Sequence, residues 1–139
     1  MKKIVALFLV IILFASCDPP RYYDYYITNS CNEDIVVKIE VCVLNCKTPY
    51  SQTNKLNIQI NPNTTQLIYS DQYWQPLNEN MIEYFFEEIT VTKGDSTSKV
   101  NYVNKNLWLF EPTSKKHANS YLTVKPEDFE EKQSSGNRR

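Results

Sequence analysis

The sequence predicts an all-β domain, an immunoglobulin-like antiparallel β-sandwich of seven or eight strands. Apolar and polar side chains alternate in several short runs, and residues typical of turns separate those runs. Beyond its first residues, the chain has no long, capped helical pattern. A small lipocalin-like β-barrel is the alternative. The low glycine count favours the sandwich, because barrel corners and tight hairpins often use glycine.

The clearest strand covers residues 34–44, where the apolar residues share one parity while Lys38 and Glu40 lie on the other. One face of this strand is therefore predicted to be buried and the other solvated. Further strands are predicted at residues 22–28, 56–60, 65–69, 85–92, 98–103, 107–111 and 120–125. Turns are predicted at Asn29-Ser30, Pro62-Asn63, Gly94-Asp95 and Pro112. Residues 80–86 are the best helix candidate in the domain.

The beginning of the chain has the pattern of an export signal. Two lysines precede an unbroken apolar run at residues 4–14, which is shorter than the about 20 residues needed to span a bilayer. The small residues Ala15 and Ser16 then precede Cys17. This order resembles the lipobox of bacterial lipoproteins, although Phe14 stands where that pattern usually has Leu. The resemblance implies that Cys17 is diacylated and becomes the mature N-terminus; an uncleaved anchor or an ordinary signal peptide is the alternative.

The lipobox resemblance also implies how the chain is divided. Residues 1–16 are a cleaved lipoprotein signal peptide, and residues 17–21 are the lipidated N-terminus and a short tether. The sandwich covers residues 22–129, with Phe129 as the last docked residue, and residues 130–139 form a disordered polar tail. Because several acyl chains bind a membrane stably where one chain is marginal, the membrane is the predicted partner of the N-terminus.

The composition excludes several classes of function. Lys and Arg number 15 against 16 for Asp and Glu, so the chain lacks the basic excess of a nucleic-acid-binding protein. Two glycines in the whole chain, Gly94 and Gly136, cannot form a P-loop or a dinucleotide-binding fingerprint. A single histidine excludes a site with several histidine ligands. No cofactor and no metal are therefore expected.

With Cys17 lipidated, three cysteines remain. Cys31 precedes the clearest strand and Cys46 follows it, and about ten extended residues separate their ends by roughly 30 Å. Since a disulfide needs Cα atoms within about 7 Å, we expect Cys42–Cys46, with Cys31 free; no disulfide is the alternative. The same distance argues against a zinc site made of these three cysteines and His117.

Catalytic patterns are weak in this sequence. His117 is predicted to lie in an exposed loop, and nothing near it suggests a group that would hold it as a base. Glu87 and Glu88 are adjacent in a predicted strand, so their side chains should point to opposite faces rather than into one cleft. We therefore predict a protein that is not an enzyme.

Residues 70–80 are a polar, non-strand segment that contains Tyr73 and Trp74. Aromatic rings among amides and carboxylates are able to stack on a sugar ring or to anchor a protein partner. We take Tyr73 and Trp74 as candidate ligand-binding residues. The alternative is that Trp74 folds back and caps the sandwich. Trp108, which alternates with two leucines, is predicted to be a core residue.

Two further resemblances bear on function. The turn sequence Asp95-Ser96-Thr97 is similar to the short motif on which exported Bacteroidetes proteins carry O-linked glycans, which implies glycosylation of Ser96. The lipobox, the aromatic run 22–26 and the closing segment 121–129 resemble small envelope lipoproteins of gut Bacteroidetes. That resemblance implies an outer-membrane lipoprotein with a β-sandwich, and it transfers no catalytic residues.

The leading hypothesis is a membrane-anchored, non-enzymatic binding or structural module for a glycan or a protein. An envelope inhibitor or immunity protein is the first alternative. A hydrolase that uses scattered carboxylates is the second, and it would require a deep cleft with two acidic groups.

Overall fold

The structure, a computed structural model, describes residues 19–42, 53–74 and 76–130. The strands are β1 (Arg21–Asn29), β2 (Ile35–Cys42), β3 (Thr53–Ile60), β4 (Thr65–Tyr73), β5 (Phe86–Lys93), β6 (Ser96–Thr97), β7 (Trp108–Ser114) and β8 (His117–Val124). A short helix, α1 (Ile82–Phe85), follows a 3₁₀ turn at Glu79–Met81 and leads directly into β5. Further 3₁₀ turns lie at Lys105–Leu107 and Pro126–Phe129.

The strands form two four-stranded sheets, which we call sheet I (order β4-β1-β8-β7) and sheet II (order β3-β2-β5-β6). The predicted β-sandwich is confirmed, and the barrel alternative is not what the described residues form. One pairing departs from the antiparallel expectation: β1 runs parallel to β8, from Tyr22 opposite His117 to Asn29 opposite Val124. The first and last strands are therefore neighbours at the centre of sheet I.

The core lies between the two sheets and follows the alternation seen in the sequence. Inward positions on β1 and β2 are fully or almost fully buried, and the outward positions between them are partly exposed. The largest fully buried side chains are those of Tyr23, Tyr25, Ile27, Ile35, Ile39, Ile60, Ile82, Phe86, Tyr102 and Leu122. Trp108 is buried and stacks on Phe86 with ring centroids 6.2 Å apart, as expected of a core residue.

Several predictions about individual elements need correction. The chain does not turn at Pro112, because β7 continues to Ser114 and Pro112 pairs with Ala118 of β8. Residues 98–103 are not a strand, because Tyr102 turns inward to cap the core instead of continuing an alternating pattern. Its hydroxyl lies 2.9 Å from Ser98 Oγ and 3.0 Å from Asp128 Oδ2, so the segment is held by side chains. His117 does not lie in a loop; it is the first residue of β8, because its backbone pairs with β1.

The prediction that residues 80–86 contain the domain's helix and that β5 follows it is confirmed. Phe129 is partly buried against the core, and Lys93 Nζ lies 5.0 Å from the centre of its ring. Within the part of the chain that is described, no helix has the length and apolar character needed to cross a membrane.

Candidate functional site

The two predicted ligand-binding aromatics have different environments. Tyr73 is the last residue of β4, opposite Arg21, so the segment around it is strand where a loop was predicted. Its hydroxyl bonds to that of Tyr84 at 3.0 Å, and its ring packs against the core. Trp74 follows directly, is 65% exposed, and accepts a hydrogen bond from Arg21 through its carbonyl at 3.1 Å. The side chain of Tyr73 therefore packs against the core, whereas the ring of Trp74 is exposed to solvent at the end of sheet I.

A row of large side chains crosses the outer face of sheet I. Register places Leu67 of β4 beside Tyr26, Tyr26 beside Tyr121, and Tyr121 beside Leu109 of β7. The two tyrosine rings stack with centroids 5.1 Å apart and planes 19° apart, while the leucines are 45% and 59% exposed. We call these four residues the ridge.

Next to the ridge lies a shallow groove of about 280 Å³, lined by Tyr22, Asp24, Ser70, Asp71 and Gln72. Tyr22 precedes Tyr26 by four residues on the same face of β1, so their Cα atoms are roughly 13 Å apart along the strand, with Asp24 between them.

The floor of the groove is a hydrogen-bonded cluster around Asp24. One carboxylate oxygen of Asp24 lies 2.8 Å from His117 Nε2, and the other accepts from the Ser70 hydroxyl. The His117 and Asp24 side chains are 40% and 20% exposed; Asp24 lines the groove, and His117 lies beside it. On the adjacent strand, Asn119 donates to the Tyr121 hydroxyl at 2.9 Å and orients that side chain of the ridge.

The order of this cluster matters for its chemistry. In a serine–histidine catalytic site, the imidazole lies between the hydroxyl and the carboxylate, so that it can take the proton of the nucleophile. Here the Asp24 carboxylate lies between Ser70 and His117, and Ser70 donates its proton to it. The arrangement places Asp24, rather than His117, next to the Ser70 hydroxyl, so it does not pair a nucleophile with a base.

The Asp24 and Asp71 carboxylates, which line the groove, affect two tyrosines near them. Burial, the Asp24 charge and Tyr121 together raise the pKa of Tyr26 above its ordinary value. Burial and the hydrogen bond to Asp71 raise the pKa of Tyr69, which donates to Asp71 Oδ2 at 2.6 Å. The Tyr69 hydroxyl therefore remains a neutral donor that holds the Asp71 carboxylate in place.

Glu87 and Glu88 require a correction. We predicted that they point to opposite faces, but both are exposed and both line one open hollow of about 280 Å³ on β5. The reason is a β-bulge: Glu88 pairs with Glu40 while Phe86 pairs with Val41, so Glu87 is an extra residue that breaks the alternation. Glu88 accepts a hydrogen bond from Thr90 at 3.0 Å.

The remaining predicted site residues lie elsewhere. Ser96 is exposed at the start of β6, directly after a turn in which Gly94 has φ +54°. Cys31 is buried and free, and Cys42 is disulfide-bonded. The lipidated Cys17 and the predicted pairing of Cys42 with Cys46 fall outside the described residues.

A shared metal site between Cys31 and His117 is excluded by geometry, because they lie beyond opposite ends of β1. Among residues 19–42, 53–74 and 76–130, no group of three or more His, Cys, Asp or Glu side chains is placed to hold a metal ion. In comparisons with known proteins, no family model, no curated protein and no solved structure matches this chain.

Proposed function

We propose that this protein is a lipid-anchored envelope lipoprotein whose sandwich is a non-enzymatic module that binds a glycan in the groove on the outer face of sheet I. Acyl chains on Cys17 would hold the domain at the membrane, in keeping with the basic residues, apolar run and small residues that precede that cysteine. The tether joins the sandwich at β1, the strand that carries Tyr22 and Asp24.

The observation that carries the proposal is an exposed aromatic ring beside a prearranged set of polar groups. Tyr22 is 50% exposed at the rim of the groove, Asp24 and Ser70 line it, and His117 bonds to Asp24 from beside it. A sugar ring has an apolar face that packs on an aromatic ring and hydroxyls that bond to carboxylate, imidazole and amide groups. Trp74 supplies a second exposed ring at the same end of the sheet, since its neighbour Tyr73 pairs with Arg21.

The non-enzymatic part of the proposal is supported by the partners of the acidic groups. Asp24 bonds to His117 and Ser70, and Asp71 accepts from the Tyr69 hydroxyl and from the backbone N–H of Gln72 at 2.7 Å. Both carboxylates are therefore engaged in hydrogen bonds with groups of the protein itself. A glycoside hydrolase instead places its two carboxylates on either side of the bond to be cut.

The test is glycan-array binding of the full, detergent-solubilised protein, followed by titration of the best glycan. Tyr22→Ala and Trp74→Ala should each weaken binding by about tenfold, because each removes one aromatic contact. Leu107→Ala is the matched control, since it truncates another exposed apolar side chain, 42% exposed, outside the groove. Equal affinity in all variants, with unchanged melting temperatures, would contradict the proposed site.

Two further variants, compared with Tyr22→Ala, distinguish a glycan ligand from a protein partner such as the target of an inhibitor or immunity protein. A flat protein surface would cover the ridge, whose leucines are the most exposed apolar groups of sheet I apart from Tyr22. Binding to a purified protein that is lost in Leu67→Ala and Leu109→Ala but kept in Tyr22→Ala would favour the protein partner over the glycan.

A further inference from the structure

A second cavity, separate from the groove, opens at the edge of the sandwich beside β7. It has a volume of about 400 Å³, within the range of about 300–1,000 Å³ typical of small-molecule sites. Its apolar wall consists of Ile82 from α1 together with Trp108 and Phe110 from β7. Ser120 of β8, 2% exposed, contributes a hydroxyl to the same cavity.

The cavity exists because sheet II is short at this edge. β6, the edge strand of sheet II, has only two residues and pairs with Thr92 and Lys93 at the far end of β5. Sheet II therefore does not cover all the inward side chains of β7. Trp108 is buried, whereas Phe110, two residues further along the strand, is partly exposed. The indole itself is fixed, because Trp108 Nε1 donates to the Tyr102 carbonyl at 2.8 Å and the ring stacks on Phe86.

The mouth of the cavity carries one group of each charge. Glu79 and Lys105 both line it, together with the Asn106 amide. Lys105 bonds to the neutral side chain of Asn80, and within the described part of the chain Glu79 makes no hydrogen bond or ion pair. A ligand that carries both an ammonium and a carboxylate would therefore find an opposite charge for each.

We propose that this cavity binds a small zwitterion with apolar side chains, of the size of an amino acid or a dipeptide. The ligand's ammonium contacts Glu79, its carboxylate contacts Lys105 and Asn106, and a branched or aromatic side chain packs on Trp108 and Phe110. A neutral apolar molecule would offer neither Glu79 nor Lys105 an opposite charge, and an anion or cation alone would offer one to only one of them. The volume of about 400 Å³ exceeds that of one amino-acid side chain, so a dipeptide is the probe of choice.

The experiment uses tryptophan fluorescence, because the chain has two tryptophans and Trp74→Phe leaves Trp108 as the only one. The full protein with this change is titrated in detergent with L-leucyl-L-leucine, which does not fluoresce. We expect a saturable shift of the Trp108 emission at ligand concentrations up to about 10 mM. The probes for charge are the N-acetylated dipeptide, the dipeptide amide and the doubly blocked form.

Each singly blocked form should weaken binding by about tenfold, since it removes one charged hydrogen bond, and the doubly blocked form should weaken binding by about a hundredfold. In Glu79→Gln, N-acetylation should no longer matter, whereas amidation should still weaken binding. In Lys105→Gln the reverse should hold. Equal affinity for the doubly blocked dipeptide would overturn the zwitterion, and no saturable shift in the Trp74→Phe protein would overturn the site. Circular dichroism of each variant verifies that the sandwich is intact.

Discussion

Tyr25→Phe is expected to stabilise this protein, although removing a hydroxyl from a buried tyrosine usually destabilises one. Tyr25 is fully buried, and its ring lies 4.9 Å from the ring of Phe86 and 5.9 Å from that of Trp108, centroid to centroid. Its hydroxyl has no hydrogen-bond partner among the described residues. Burying a polar group without a partner costs about 1–3 kcal/mol, so phenylalanine keeps the packing and removes this cost.

Tyr102 supplies the matched control. It is as deeply buried as Tyr25, but its hydroxyl bonds to Ser98 Oγ at 2.9 Å and to Asp128 Oδ2 at 3.0 Å. The same substitution there removes both bonds and leaves the Asp128 carboxylate with one donor fewer. Tyr102→Phe should therefore lower the free energy of unfolding by about 1–2 kcal/mol.

The two variants are compared by urea unfolding, with tryptophan fluorescence as the signal. Tyr25→Phe should raise the free energy of unfolding by about 1 kcal/mol, or the melting temperature by about 4 °C. The slope of free energy against urea should not change, because the area buried is the same. A loss of about 1 kcal/mol or more in Tyr25→Phe, equal to that in Tyr102→Phe, would refute the reasoning, since it would mean that a buried water satisfies the Tyr25 hydroxyl.

Three further results are expected. Cys17→Ser should remove the protein from the membrane fraction or leave its signal peptide uncleaved, and the intact mass of the wild type should include acyl chains. Any further mass in the wild type that is absent from Ser96→Ala would identify a glycan on Ser96. Asn29→Ala should destabilise the fold by about 3 kcal/mol in urea unfolding, because the buried amide bonds to the Glu33 carbonyl at 2.8 Å, to the Ile60 carbonyl at 3.0 Å and to the Cys31 N–H at 2.9 Å. Burial raises the pKa of Tyr25 and Tyr102, so the folded state keeps protons that the unfolded state loses above a pH of about 10. The free energy of unfolding should keep its full value below that pH and should fall as the pH rises through it. Tyrosinate absorbance follows the ionisation, and a free energy of unfolding that stays constant from neutral to strongly alkaline pH would contradict this.

The strands were predictable because alternation with a period of two is a local property of the sequence. Residues 34–44 and 120–125 show the pattern, and β2 and β8 lie there. Which strands become neighbours is not a local property. The parallel pairing of β1 with β8 joins residues almost a hundred positions apart, and no residue type marks it. The Asp24–His117 contact follows from this pairing alone, so the sequence could not indicate it.

The incorrect predictions share a physical cause, since each occurs where a tertiary contact overrides alternation. Tyr102 has a strand-like sequence around it, but its side chain caps the core and bonds to Asp128. Glu87 is the extra residue of a bulge, which the sequence does not mark with a glycine. Tyr73 is surrounded by polar residues, yet β4 continues through it because β1 provides a partner strand.

The aromatic run of β1 shows which features of the candidate site can be predicted from the sequence. Tyrosines occupy both parities of residues 22–26, so hydrophobicity alone does not say which face is buried. Asp24 decides it, because an unpaired carboxylate cannot be buried, and the even positions must then face solvent. The ring of Tyr26 has a structural use, since it stacks on Tyr121 and supports the pairing of β1 with β8. The ring of Tyr22 has no ring contact or side-chain hydrogen bond among the described residues and is half exposed, so packing does not account for it; in the proposed function it is the ring on which the glycan packs.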